Sequence, residues 1–217
     1  MIKLSRVSKL DGISSWSLTA RATCPGSIDP KTKALVPACD GCYAAENRGN
    51  YRWPNVRQRR EDNGKDWKRS EWVADMIAEL DNHRYFRWFD SGDVYHPRLA
   101  EKILEVCKAT PWVKHWLPTR SHKIPRISKV LKRIAKLQNV SVRYSSDAID
   151  GSYTKGLHGS TIIPFASFKI KDVHTCHAYQ TDSHKCNGCR TCWDRDTKVV
   201  AYVAHGRAMT NLIAKGT

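Results

Sequence analysis

The feature that most constrains the fold is a repeated alternation of strand-like and helix-like segments. The strand-like segments cluster aliphatic or aromatic residues, and the segments between them place apolar residues three or four positions apart, as an amphipathic helix does. The predicted strands are 16–23, 84–89, 113–117, 140–144, 161–168 and 199–203, and the predicted helices are 71–81, 97–107 and 124–137, with a broken helix at 43–60. Because strands that alternate with helices form parallel sheets, we expect an α/β fold.

Short polar turns follow three successive predicted strands. They are DSGD at 90–93, TRSH at 119–122 and SSD at 145–147. In parallel sheets and in α/β barrels, ligands bind where the carboxyl ends of the strands meet. The sequence therefore predicts a ligand site at this edge of the sheet.

Four cysteines lie close together near the end of the chain: Cys176, Cys186, Cys189 and Cys192. The last three form a C-x2-C-x2-C run, which is typical of iron–sulfur proteins because a short looping segment can wrap a cubane and supply several thiolates. A zinc ion more often takes two separate cysteine pairs, whereas here the two pairs share one cysteine. We predict a [4Fe–4S] cluster. A zinc site is an alternative because three histidines lie nearby, His174, His177 and His184. Disulfides or free thiols are the remaining alternative.

Three further cysteines, Cys24, Cys39 and Cys42, form a second group without an obvious fourth ligand. Three ligands leave one position of a metal site open, as a substrate-binding or reactive site requires. A zinc site completed by a distant histidine and plain buried thiols are the alternatives. Cys107 follows the apolar face of a predicted helix and is interpreted as a core thiol.

Positive charge is concentrated in two stretches of the chain. The chain has 37 Lys and Arg against 21 Asp and Glu, a net charge of +16, and ten of the basic residues fall between Val106 and Ser146, where no acidic residue occurs. The outer face of the predicted helix there carries Lys129, Lys132, Arg133 and Lys136, and the second stretch contains Arg48, Arg52, Arg57, Arg59 and Arg60 beside Tyr51 and Trp53. Phosphates attract such charges and aromatic rings stack on bases, so we predict a nucleic-acid partner, with DNA only slightly favoured over RNA. A solvated basic face without a partner is the alternative.

Other classes of protein are disfavoured. No run of 18 apolar residues exists to form a transmembrane helix, and the charged N-terminal segment does not read as a secretory signal. We therefore expect a cytoplasmic protein with reduced cysteines and no membrane partner. The sequence predicts no protein partner. No motif for reading DNA sequence is evident, so binding through backbone charge is the expectation.

The order of these motifs resembles the radical SAM superfamily. A strand leads to a cysteine loop that closes with Cys39, Cys42 and Tyr43, and a later strand ends in the DSGD turn before a helix. The resemblance implies a partial parallel (β/α) barrel with a small Cys-rich C-terminal appendage. It also implies a [4Fe–4S] cluster on Cys24, Cys39 and Cys42, bound S-adenosylmethionine, and an auxiliary cluster in the tail. The residues implied to lie near S-adenosylmethionine are Tyr43 at the adenine, Ser91, Gly92 and Asp93 at the amino acid moiety, and Ser145 at the ribose.

A closer resemblance is to a family of small phage-encoded proteins of gene-product-eighty-eight type. It is carried by SWSL, TCPG, CYA, DSGD and the terminal C-x2-C-x2-CW, over about residues 15–200. The resemblance implies a phage-encoded protein, for which we expect a location in the host cytoplasm. We expect a partial barrel at 1–171 and a cluster-binding tail at 172–217 that returns to the barrel.

Two functions follow from these features. The first is an iron–sulfur protein with one or two clusters that binds nucleic acid through its basic residues, Arg57, Arg59, Arg60, Lys129, Lys132, Arg133 and Lys136. The second is a radical SAM enzyme that modifies a nucleic acid or nucleotide. A zinc-stapled nucleic-acid-binding domain is a third reading. The sequence leaves open whether the protein is an enzyme.

Overall fold

Eight strands pair into one sheet in residues 2–45 and 49–216, the part of the chain that the computed structural model describes. The strands are β1 (Ser5–Val7), β2 (Ile13–Trp16), β3 (Tyr85–Trp88), β4 (Lys114–Thr119), β5 (Val140–Ser145), β6 (Gly159–Ile163), β7 (His174–Thr175) and β8 (Val199–Val203). Their order across the sheet is β1-β2-β3-β4-β5-β6-β8-β7. Only β1 and β2 pair antiparallel, and every other pair is parallel. The predicted parallel α/β sheet is therefore confirmed, and the partial barrel stays a prediction.

Six α-helices accompany the sheet in the described residues. They are α1 (Pro37–Asp40), α2 (Pro54–Asp66), α3 (Trp72–Glu79), α4 (Pro97–Ala109), α5 (Pro125–Ile134) and α6 (Arg207–Ala214). Four of them begin at a proline, whose fixed φ suits the first helical position and whose missing N–H costs nothing there. At α4 the ring of His96 also accepts a hydrogen bond from the Arg98 backbone N–H at 3.1 Å. None of these helices has the length and hydrophobicity needed to span a bilayer.

Two predicted strands end earlier than expected. The segment predicted at 16–23 shares only Trp16 with β2, which begins at Ile13, because the Leu18 backbone N–H donates to the carbonyl of Ser91 and turns the chain toward the DSGD loop. The segment predicted at 161–168 ends at Ile163, since Pro164 has no N–H to offer a neighbouring strand. The short strands β1 and β7 and the helix α6 were not predicted at all.

The sheet separates two apolar layers. One face packs against α3, α4 and α5 around fully buried Trp16, Trp72 and Trp88, and it also buries Cys107, which confirms the prediction of a core thiol. The predicted apolar stripe of α5 is confirmed by buried Ile127, Val130, Leu131 and Ile134. Against the other face lies the Cys-rich segment, with Trp116, Cys186, Cys192, Trp193 and Val200 in one cluster.

The Cys-rich tail also contributes to the sheet itself. It supplies β7 and β8, and β8 lies between β6 and β7. The division into units 1–171 and 172–217 stays a prediction. Arg48, part of the second basic stretch, lies outside the described residues.

Candidate functional site

The three predicted polar turns meet at the carboxyl edge of the sheet, as expected. Asp93 joins the first turn to the second, because its Oδ1 accepts a hydrogen bond from Thr119 Oγ1 at 2.7 Å. Its Oδ2 accepts from the backbone N–H groups of Arg120 at 2.8 Å and Ser121 at 3.2 Å. Arg120 joins the second turn to the third, since its Nη2 donates to the carbonyl of Ser146 at 2.6 Å. Burial raises the pKa of Asp93, and these hydrogen bonds oppose that shift.

A cavity of about 630 Å³ opens at this edge. Both predicted cysteine groups border it. The cysteines in its wall are Cys24, Cys39 and Cys42 from the first group and Cys176, Cys186 and Cys192 from the second. Two groups that are far apart in sequence therefore face one space, which spacing alone did not predict.

The first cysteine group is anchored to the second and third turns. Gly26, two residues after Cys24, packs so closely on the Arg120 backbone that a Cβ would lie 2.3 Å from the Arg120 carbonyl oxygen. In α1 the Ala38 N–H donates to the carbonyl of Asp147 at 2.9 Å, which fixes the helix that carries Cys39. The turn to Cys42 is closed by its N–H, which donates to the Cys39 carbonyl at 3.2 Å.

Two thiols of this group, those of Cys24 and Cys39, are disfavoured as free thiolates. Burial raises the pKa of Cys24 to about 12, and the negative charges of Asp93, Cys39 and Cys42 raise it further. Burial also raises the pKa of Cys39. Thiols that repel one another's negative charge in this way ionise when a bound metal supplies the compensating positive charge.

The second cysteine group lies on the face of the sheet that does not contact α3, α4 and α5. The Cys176 N–H donates to the Ala201 carbonyl at 2.8 Å, and the Cys186 N–H donates to the Lys9 carbonyl at 2.9 Å. Cys192 Sγ lies 3.1 Å from the Tyr202 hydroxyl. Burial raises the pKa of Cys186 to about 12, and the nearby sulfurs of Cys176 and Cys192 add to the shift.

Arg143 is the main link between the sheet and this tail. The sequence counts it among the ten charges of the basic window, but its side chain is 0% exposed. The guanidinium donates to four backbone carbonyls of the tail: Cys192 at 2.9 Å, Thr197 at 3.0 Å, Thr191 at 2.8 Å and Asp194 at 2.7 Å. This residue therefore positions the cysteine run and is not available to a nucleic acid.

Cys189, the fourth predicted ligand of the tail, is placed differently. It is not among the residues that line the cavity. Its ligand atom, with those of His174 and His177, belongs to a group whose atoms all lie within 4.8 Å of one another. His184, the third histidine considered for zinc, is not a member of that group.

The residues that the resemblance placed near a cofactor all lie in the cavity wall. Tyr43 is 40% exposed, and its ring centroid lies 5.7 Å from that of Tyr51. Ser91 Oγ donates to the Leu18 carbonyl at 2.7 Å, and Ser145 Oγ accepts from Ser160 Oγ at 3.4 Å. Gly92 has φ +74°, and a Cβ there would lie 2.6 Å from Leu18 Cβ. Packing within the chain thus explains the glycine.

Sequence reasoning missed a charged network in the cavity wall. Arg87 donates to Asp90 Oδ1 at 2.8 Å, and its guanidinium lies 4.5 Å from the centre of the Trp116 ring. Tyr51 donates a short hydrogen bond to the other oxygen of Asp90. An arginine between aromatic residues of a buried strand, as in YFRWF, is the signal that could have revealed it.

The predicted nucleic-acid-binding residues differ in exposure. Lys129, Lys132, Arg133 and Lys136 are exposed as predicted, although Arg133 pairs with Glu101 at 2.5 Å. Arg57 is also exposed, whereas Arg59 donates to the Leu4 carbonyl and Ser5 Oγ. Arg60 is only 9% exposed, lines the cavity, and stacks on the Tyr51 ring at 4.2 Å. Its expected place on an outer basic face is therefore corrected, since the DSGD turn binds it through a short hydrogen bond to Ser91.

Comparison with protein families gives a match that spans most of the chain. The model of the family described as Gene product 88 matches residues 3–195. Comparison with curated proteins and with solved structures found no significant match.

Proposed function

This chain belongs to the Gene product 88 family, and we propose that it is an iron–sulfur protein with two thiolate sets on one cavity. The first set is Cys24, Cys39 and Cys42, and the second is Cys176, Cys186 and Cys192. The observation that carries the proposal is that all six line the same cavity while none is in a disulfide. Soft thiolate ligands select zinc, Cu(I) or iron–sulfur clusters.

The spacing of the ligands favours a cluster over single zinc ions in these sets. With Zn–S bonds of about 2.3 Å, tetrahedral zinc holds its thiolates roughly 3.8 Å apart. In the described residues, one group of three possible ligand atoms lies within 4.8 Å of one another, and it consists of His174, His177 and Cys189. None of the six cysteines of the cavity belongs to it. A cubane is larger than an ion and spreads its thiolates more widely, which suits the six cysteines of the cavity.

The charges around the cavity support an anionic group inside it. Lys9, Arg60, Arg87 and Arg120 line the wall, against the carboxylates Asp90 and Asp93. Burial lowers the pKa of Lys9, and negative charge on Cys176 and Cys186 opposes that shift. Basic groups of this kind compensate the negative charge of a thiolate-bound cluster. When bound, such a cluster supplies one-electron transfer.

The first prediction concerns iron content. We expect the protein, when it is purified without oxygen, to contain iron and acid-labile sulfide. Its visible absorbance should bleach on reduction. Cys42→Ala and Cys186→Ala are each expected to lose about half of the iron, because each removes a ligand from one of two sets. Iron, sulfide and zinc are measured together by elemental and colorimetric analysis.

The matched control for these variants is Cys107→Ala. Cys107 is buried in the other layer of the core, away from the cavity. We expect this variant to keep all of its iron, so any general effect of losing a thiol is separated from loss of a ligand. Wild-type chain that contains zinc in place of iron and sulfide contradicts the proposal.

We further propose that the exposed face of α5 binds nucleic acid. Lys129, Lys132 and Lys136 extend into solvent together with Arg133, and the apolar side of the helix is used by the core. The helix presents Lys129, Lys132 and Arg133 beside one another, because three- and four-residue steps fall on one face, and Lys136 follows in the turn after the helix ends at Ile134. Contacts with phosphates depend on charge and not on base sequence.

The second prediction concerns the salt dependence of this binding. Changing all four residues to Ala is expected to weaken binding to oligonucleotides of unrelated sequence by similar factors. It should also reduce the slope of log K against log salt by about 3–4, because each lost phosphate contact removes about 0.9. Fluorescence anisotropy with labelled single-stranded and duplex DNA and RNA over a salt series measures both.

The charge-matched control changes four exposed lysines elsewhere, Lys65, Lys68, Lys155 and Lys215, to Ala. It removes the same net charge and should leave most of the slope in place. Equal effects of the two quadruple variants contradict a binding face on α5 and indicate a response to net charge alone.

A second candidate function is radical chemistry on S-adenosylmethionine. It is favoured by one observation, that the three-cysteine set shares its cavity with Tyr43, Ser91 and Ser145, which the resemblance assigned to this cofactor. Iron-loaded chain incubated with S-adenosylmethionine and a reductant tests it. Formation of 5′-deoxyadenosine that Cys42→Ala abolishes supports the candidate, and its absence from fully loaded chain rejects it.

A further inference from the structure

We propose that His174, His177 and Cys189 form a separate site for a single zinc ion. Their ligand atoms, two imidazole nitrogens and one sulfur, all lie within 4.8 Å of one another. None of these three residues lines the cavity, although Cys189 packs against the same apolar cluster as Cys186 and Cys192. The site would use the middle cysteine of the C-x2-C-x2-C run for a different metal from its two neighbours.

The backbone brings the three ligands together from two directions. His174 is fixed in β7 by its pairing with Val200, and His177 follows at the start of a short 3-10 turn. Cys189 lies on the loop formed by residues 186–190. Asp11 holds that loop, because its carboxylate accepts from the Asn187 and Gly188 N–H groups at 3.1 and 3.0 Å and from Arg190 at 2.8 Å. These bonds fix the loop independently of any metal.

A hydrogen bond outside the ligand set orients His177. Its Nε2 lies 3.1 Å from the Cys186 carbonyl oxygen. A carbonyl can only accept, so the proton is assigned to Nε2, which leaves the Nδ1 lone pair free for a metal. Histidines that bind metals commonly donate their other ring N–H to a backbone carbonyl, which fixes the ring and raises its basicity.

The donor set selects the ion. Two imidazoles and one thiolate suit zinc, whereas Mg²⁺ and Ca²⁺ require oxygen ligands. All three side chains are half-buried, so water can reach the fourth position of a tetrahedral ion. We therefore infer a zinc site with three protein ligands and one exchangeable position.

The test is metal analysis of full-length chain purified without oxygen and titrated with Zn²⁺ against a chromophoric chelator. About one zinc per chain is expected in addition to iron, with two nitrogen and one sulfur neighbours in the zinc X-ray absorption spectrum. Cys189→Ala and His177→Gln are expected to weaken zinc binding at least about ten-fold and to leave the iron content unchanged. Cys186→Ala should show the opposite pattern.

The control is His184→Asn, a change that suits the positive φ of +50° at this tail position and should leave zinc affinity unchanged. Circular dichroism checks that each variant is folded. If Cys189→Ala does not fold, His174→Gln takes its place as the variant that removes a zinc ligand. Loss of iron from Cys189→Ala with no zinc in the wild type overturns the inference, because Cys189 then belongs to the cluster. Zinc on these residues in a chain that binds no iron refutes only the proposed iron–sulfur function.

Discussion

Replacement of Arg143 by methionine is expected to lower the free energy of unfolding by about 3–5 kcal/mol, the largest effect among the substitutions considered. The variant keeps most of the side-chain volume and removes the donors to four tail carbonyls. A polar group that loses its partner inside a protein costs about 1–3 kcal/mol. Because these carbonyls belong to residues 191–197, the cysteine run loses its attachment to β5.

Urea unfolding of the metal-free chain measures this loss, and limited proteolysis reports whether the tail becomes accessible first. Arg126→Met is the matched control, since Arg126 is exposed on α5 and its replacement should change stability by less than about 0.5 kcal/mol. Equal stability of the two variants would show that Arg143 does not hold the tail.

Replacement of Gly92 by alanine is expected to destabilise the chain by about 2–4 kcal/mol, which combines backbone strain with overpacking. The backbone at this position has φ +74°, and the new Cβ would lie 2.6 Å from both Leu18 Cβ and Thr23 Oγ1. The segment that must move leads directly to Cys24. We therefore expect the first thiolate set to lose iron more readily than the second.

Gly156→Ala separates the two causes. Gly156 has a similar φ of +80°, but nothing lies within 4 Å of an added Cβ. This control should cost only the strain, about 1–2 kcal/mol, and should keep its iron. Chemical denaturation and iron analysis of both variants provide the comparison, and matching iron losses would contradict a specific role of the Gly92 contact.

Local sequence patterns were sufficient to predict the middle of the fold. The apolar run that becomes β8 was predicted with the same limits, and the helix around Ile127 and Leu131 follows its periodicity. The polar turns after β3, β4 and β5 meet because parallel strands bring their carboxyl ends to one edge. Regular periodicity and parallel topology are local or generic properties, so a sequence reveals them.

Roles that depend on distant contacts could not be predicted in this way. Arg143 and Arg60 look like ordinary members of basic stretches, yet one binds tail carbonyls and the other packs on Tyr51 beside the DSGD turn. The grouping of Cys189 with two histidines depends on where β7 and the Asp11-bound loop lie. In each case the deciding partner is remote in sequence and carries no pattern that marks it.

The place of β8 between β6 and β7 sets an order of events during translation. In the described residues, β7 pairs only with β8, which is synthesised later. The backbone N–H of Cys176 also donates to Ala201 of β8. The helix that carries Cys39 instead bonds to Asp147, which is made well before the tail. Chains fold from the N-terminus as they emerge. The hydrogen bond that holds the first cysteine group can therefore form before the second group has its scaffold, whereas the packing of Ala38 on Met209 of α6 is completed only at the end of synthesis.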